Sequence, residues 1–256
     1  MLLARDARPG DAVALDPPWA ERAREVLPAS LPVLSFPRLA GEDLLGVRRV
    51  WLLALVKAPG RRRLLERDLL SRAGSAIESV RLGALELTRF ELHSPLVALA
   101  FLPDRLDSAK VSAAGQDCAR QAIGSFRCPT GQSVGVAREE REVDFLPRPC
   151  LRAHPSAPGT SPLTITFPEV PMGRILRGHT GMVGETAPTG RAPTILTVHV
   201  DDEEIGAAEE DPRQTGWHTF RLDTPREAGH LATVTFTLST EDVGPREFCF
   251  DAYTLP

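Results

Sequence analysis

The chain has 256 residues and a formal charge of -4, with 42% hydrophobic and 25% charged residues. That length suits one large domain or two modest ones, and the acidic balance excludes the concentrated basic surface that general nucleic-acid binding requires. No apolar run approaches the roughly 20 residues needed to cross a bilayer; the longest, Val50 to Val56, has the length of a buried strand, so no membrane span is expected.

DAVALD (Asp11 to Asp16) reads as a short apolar strand, and PPWAERAREVL (Pro17 to Leu27) places proline at a helix start. LPVLSF (Leu31 to Phe36) is a second strand, GEDLLG (Gly41 to Gly46) a helical turn or two, and RRVWLLALV (Arg48 to Val56) a third strand. RRRLLERDLLSRAG (Arg61 to Gly74) repeats leucine at helical spacing and stops at glycine. Strands alternating with helices predict a small parallel α/β layer. No G-x-G-x-x-G and no P-loop motif follows a strand, so neither a dinucleotide nor a P-loop nucleotide finds its phosphate cradle, and no cofactor is expected. Asp16-Pro17-Pro18-Trp19 sits where such layers bind ligands, but proline at a helix start above a tryptophan is also ordinary packing.

From Ile77 the period becomes two, with Gly83 as the turn of a hairpin, and the chain reads as β from there on. The expected fold is therefore α+β with two domains, a small α/β layer over residues 1–92 and an antiparallel β-sandwich of jelly-roll type over residues 93–256. Residues 114–135 are polar and non-periodic, predicting a long loop that needs a function or a staple. Strands resume in VGVAREEREVDF, RPCLRAHP, PLTITFPEV and GRILRGHTGMV, then in PTILTVHVDD, GWHTFRLDT, HLATVTFTLST and REFCFDAYT. About ten strands suffice for two packed sheets.

Set in order, GRILRGHTGMV, TILTVHVDDEEIG, GWHTFRLDT and REFCFDAYT resemble the galactose-binding-like jelly rolls, a fold shared by many carbohydrate-binding modules, over residues 93–256. In the first half, PGDAVALDPPWAERAREVL followed by VRRVWLLAL is similar to the soluble extracytoplasmic tail of polytopic membrane glycosyltransferases of the mannosyltransferase and arabinose-transferase type. That resemblance implies cell-envelope glycan biology, an oxidising compartment and a membrane-associated protein partner. It transfers no active site, because the catalytic acids of those transferases lie on loops between membrane helices and no residue here can inherit their role.

Four cysteines allow three pairings. Cys118 with Cys128 would close the long loop, and Cys150 with Cys249 would tie an early strand of the sandwich to its last one. If the chain is complete as written, Leu2, Leu3 and Ala4 followed by charges lack the h-region of a secretory signal, and four reduced cysteines in a cytoplasmic protein are the alternative. None is in a C-x-x-C pair, and the spacing of His154, His179 and His218 matches no local metal motif, so no metal is expected. Asp201 to Glu204 is an acidic run without the spaced pattern of a calcium loop and reads as a solvated turn.

Sugar binding calls for an exposed aromatic platform beside planar polar groups. Arg177, His179, Trp217 and His218 form the best such set, with core packing as the competing reading of Trp217. No G-x-S-x-G elbow accompanies them. The expected function is a non-catalytic accessory or glycan-binding module of cell-envelope carbohydrate metabolism, with the soluble part of a membrane glycosyltransferase as one form of it; the alternative is a hydrolase or transferase with its site at the interface between the two domains.

Overall fold

A computed structural model of the chain describes residues 2–17, 25, 27–28, 31–34, 39, 41–57, 59–73, 75–129, 134–144, 146–154, 162–183, 192–224, 229–241 and 247–256. They divide into two units, Met1–Val97 and Ala98–Pro256.

In the first unit, the apolar run DAVALD forms β1 (Asp11–Asp16), buried along its whole length. It lies between β2 (Val33–Leu34) and β3 (Arg49–Leu55) and is parallel to both. The alternating stretch after α2 (Pro59–Ala73) folds as the hairpin β4 (Ala76–Leu82) and β5 (Leu85–Glu91), turning at Gly83 with φ 66. β5 runs antiparallel to β3, giving the order β2-β1-β3-β5-β4. The expected parallel layer is thus a mixed sheet, because a two-residue turn can join only antiparallel strands and the period-two stretch from Ile77 belongs here. Leu65, Leu69 and Ala73 of α2 are buried at helical spacing. The expected helix over Pro17 to Leu27 lies largely outside the described residues. Around α1 (Leu2–Asp6), Leu3 joins Val13, Leu15, Leu27, Leu31, Trp51 and Leu87 in an apolar cluster.

The second unit is an antiparallel sandwich. One sheet has the order β17 (His218–Asp223), β14 (Ile175–Val183), β19 (Glu247–Leu255), β12 (Leu146–Ala153), β11 (Gly135–Val143), β10 (Ser125–Arg127), β9 (Ala119–Ala122), with β6 (Ala100–Phe101) also on β19. The other has the order β16 (Glu203–Glu210), β15 (Thr194–Val200), β18 (Leu231–Thr240), β13 (Leu163–Pro171), β7 (Lys110–Ala113), β8 (Gln116–Asp117). Alternation decides what each strand buries. On β18, Ala232, Val234, Phe236 and Leu238 enter the core, while the threonines between them face outward. Phe236 meets Phe167 edge-on at 6.0 Å and Phe250 at 5.1 Å, so aromatic packing joins the two sheets.

The stretch expected as a long loop holds strands at Gln116–Asp117, Ala119–Ala122 and Ser125–Arg127. β9 and β10 form a two-stranded hairpin turning at Gly124, with φ 70, and its base is closed by the Cys118–Cys128 disulfide. Gly124 donates its N–H to Asp107 and accepts from the Arg138 N–H, which fixes the tip. Polar, solvent-facing short strands lack apolar alternation, which is why periodicity overlooks them. A second disulfide, Cys150–Cys249, links adjacent strands β12 and β19. Asp201 and Asp202 both take positive φ in the β15–β16 turn, the geometry of a tight two-residue hairpin loop.

One consequence of the topology positions the candidate site. Ala153 pairs with Phe248, Val183 with Glu247, Thr194 with both Thr240 and Glu210, and Thr180 with His218. β12, β14, β16 and β18 therefore finish, and β13, β15, β17 and β19 begin, at the same end of the sandwich.

Candidate functional site

β14 carries the stretch ILRGHTGMV, and its alternation sorts the residues. Leu176, Gly178 and Thr180 point toward the other sheet; Arg177, His179 and Gly181 point away from it. Gly178 has no alternative, since a Cβ there would overlap the Asp251 carbonyl and the Phe220 ring. At Gly181 a Cβ would lie 3.1 Å from Trp217 Cε3 and 3.3 Å from Val143. The missing side chain is thus replaced by an indole and a valine.

Val143 reaches that position because the β11–β12 hairpin leaves the sheet. β12 pairs with β19 only through Leu151–Ala153, and further along β19 the neighbour is β6. The hairpin tip is anchored by Trp217, whose Nε1 donates to the Leu146 carbonyl at 2.7 Å. Trp217 itself is half-buried.

On the same face, His179 is 3% exposed and Asp251 opposite it 4%. The Asp251 carboxylate accepts the His179 backbone N–H at 2.9 Å and lies 3.0 and 3.1 Å from Nδ1. An ionised carboxylate only accepts, so Nδ1 carries the proton and the ring is locked against β19. Arg177 stands four residues down the strand from Gly181, about 13 Å at the usual rise.

His218 faces the other way. Its Nδ1 is 2.8 Å from Glu210 Oε1, and Thr180 Oγ1 donates to Glu210 Oε2 at 2.7 Å. The Glu210 side chain is fully buried, whereas that of His218 is 37% exposed. Thr194, opposite Glu210 on β15, is buried, and its Oγ1 has no hydrogen-bond partner among the described residues. The carboxyl of Glu210 thus bridges β16 of one sheet to β14 and β17 of the other at the end where β16 finishes and β17 begins. The β16–β17 connection is closed by Arg213, whose guanidinium and N–H hold Asp211 at about 2.

The four residues singled out in the sequence therefore fall into three places. Trp217 precedes and His218 begins β17 at the loop end, His179 is locked beneath the hairpin, and Arg177 lies further down the sheet. Sequence reasoning missed Glu210, Thr180, Thr194 and Asp251. Glu210 carried a signal, since it continues the inward phase of Ala208 on β16, a position where a charge needs a partner. His154 lies apart from these: its Nε2 is 2.8 Å from Arg152, which donates to it and to Glu139. Burial would raise the Glu139 carboxyl, but hydrogen bonding and charge from Arg152 and Arg141 hold it below the usual range.

No family model matches the chain, and no curated protein matches it. Among solved structures it is similar to a glycoside hydrolase family 43 arabinoxylan arabinofuranohydrolase from Bacillus subtilis, at 12% identity and TM-score 0.33, over 55% of this chain and 33% of that one. It is also similar to the CBM51 module of Clostridium perfringens GH95 in complex with methyl-galactose, at 11% identity and TM-score 0.32, over 46% of this chain and 79% of that one. A third is a family 35 carbohydrate binding module from an environmental isolate, at 14% identity and TM-score 0.31, over 53% of this chain and 90% of that one. Carbohydrate-binding modules recur among these likenesses. Superpositions of this size carry no residue and no ligand over to the present chain.

Proposed function

We propose that residues 98–256 are a galactose-binding-like jelly roll that acts as a non-catalytic glycan-binding module, with its site where β17 begins. The observation that carries this reading is the pair of consecutive residues Trp217 and His218. The indole is half-buried and held by its bond to Leu146, and the imidazole is half-exposed and held by Glu210. The indole lies on the outer face of the sheet and the imidazole on the face toward the other sheet, so an apolar ring and an oriented polar edge meet the loop end from two sides of one strand start. These are the two kinds of group a pyranose uses, and groups already fixed lose little freedom on binding. His179 positions β14 against β19 from beneath, and Arg177 lies outside the site.

The two disulfides support an extracytoplasmic setting, since such bonds persist where the surroundings oxidise thiols. No helix among the described residues is long and apolar enough to cross a membrane.

A glycan array followed by calorimetric titration of the full chain tests the proposal. Binding near the millimolar end, about -4 kcal/mol, is expected for a site with one indole. Trp217→Ala should abolish it and Arg177→Ala should leave it unchanged. An array without a single saturable ligand overturns the proposal.

A further inference from the structure

The Glu210–His218 pair has a property that ordinary sugar contacts lack. Glu210 is buried with both oxygens engaged, by Thr180 and by His218. With Nδ1 committed to the carboxylate, Nε2 is the ring's outward atom, and it makes no hydrogen bond among the described residues. Protonation therefore changes one thing at the surface. The neutral ring offers a hydrogen-bond acceptor, and the charged ring offers a donor backed by a buried counter-charge.

Among the described residues, the groups near the ring include the carboxylate of Asp144, whose Oδ2 would lie 3.7 Å from a Cβ at Gly216, two residues before the ring. β14 presents the hydroxyl of Thr180 to Glu210, and β15 pairs Thr194 with Glu210; both threonines are neutral. The β16–β17 connection presents Asp211 already closed on Arg213, and on its own strand Arg221 is 3.0 Å from Asp223. Glu210 is the one charge bonded to the ring among the described residues.

A sugar hydroxyl can donate or accept and so fits either state. A ring carboxylate can only accept, and it fits the protonated state alone. We infer that His218 and Glu210 make this end of the sandwich a pH-gated reader of charge, taking neutral sugars at any pH but anionic sugars only under mildly acidic conditions. The inference rests on the glycan-binding reading and adds a class of ligand and a condition to it.

The test uses the full chain and two matched pairs of probes, galactose with galacturonate and glucose with glucuronate, titrated between about pH 5 and 8. The His218 ring signal is followed by NMR with and without sugar. For the neutral member of a pair, affinity should change less than about twofold across the range; for the uronate it should rise at least about tenfold toward the acid end. By reciprocity the uronate should move the titration midpoint of His218 upward, and the neutral sugar should not. Neutral binding accompanied by pH-independent uronate binding, or an unmoved His218 midpoint, overturns the inference and leaves the glycan-binding reading standing. If no sugar binds at any pH, both fall.

Discussion

Glu210 and His218 join the two sheets across the edge of the sandwich, with Nδ1 2.8 Å from a carboxyl oxygen whose partner oxygen is held by Thr180. The bond links residues eight apart in sequence that begin and end a single connection. Its carboxyl is buried, so its removal strands two polar groups.

Glu210→Ala should therefore destabilise the second unit by about 2–3 kcal/mol, the cost of leaving a buried hydroxyl and an imidazole unmatched. Urea unfolding followed by tryptophan fluorescence measures this. A loss under about 0.5 kcal/mol, the level of an ordinary surface change, would show that the bridge is not structural.

Gly178→Ala should be harsher. The added methyl would meet the Asp251 carbonyl and Phe220 at once, and backbone cannot yield as a long side chain can. A loss above about 3 kcal/mol, or failure to fold, is expected, as for overpacked core sites. Gly46→Ala, where a Cβ meets nothing within 4 Å but φ is 71, provides the contrast of backbone strain without collision.

How much of this could be read in the sequence depends on what each element uses to hold itself together. β1, β3 and α2 were legible because apolar periodicity alone defines them, and the inward phase of β18 is written in ATVTFTLST. The β9–β10 hairpin was not, because a disulfide and a hydrogen bond to Asp107 stabilise it in place of an apolar face. At the site, Trp217 and His218 stood out by residue type. Their partners Glu210, Thr180 and Leu146 did not, since pairing across two sheets depends on register that no local window contains.

The disulfides should differ in weight. Cys118–Cys128 spans 10 residues and Cys150–Cys249 spans 99. Loop-closure entropy gives about 3 kcal/mol for a loop near the shorter length and about 4.7 for the longer. Replacing each pair with serine and comparing melting temperatures should show the greater loss for Cys150 and Cys249. Equal losses would mean that the unfolded chain is not what these bonds constrain.

In the first unit, acid should act through Asp11. Burial would raise its carboxyl, but hydrogen bonds from the Arg49 guanidinium, Trp51 Nε1 and the Arg8 N–H outweigh that and hold it below the usual range. A carboxyl lowered by folding contributes stability that is complete above its unfolded value, about 3.9, and is lost as pH falls through the folded one. Stability of this unit should hold from neutral pH to about 4 and decline below it, and Asp11→Asn should flatten that decline while costing about 3 kcal/mol at pH 7. A variant that keeps the full acid slope would assign it to another group.

The most direct test of the glycan-binding reading is an NMR titration of the full chain with the best sugar from the array, following assigned side-chain signals. The Trp217 indole N–H and the His218 ring should shift together and saturate at one concentration, with Arg177 unmoved. Saturable binding whose largest shifts fall on the threonine face of β18 and β13, with Trp217 and His218 still, would contradict the site.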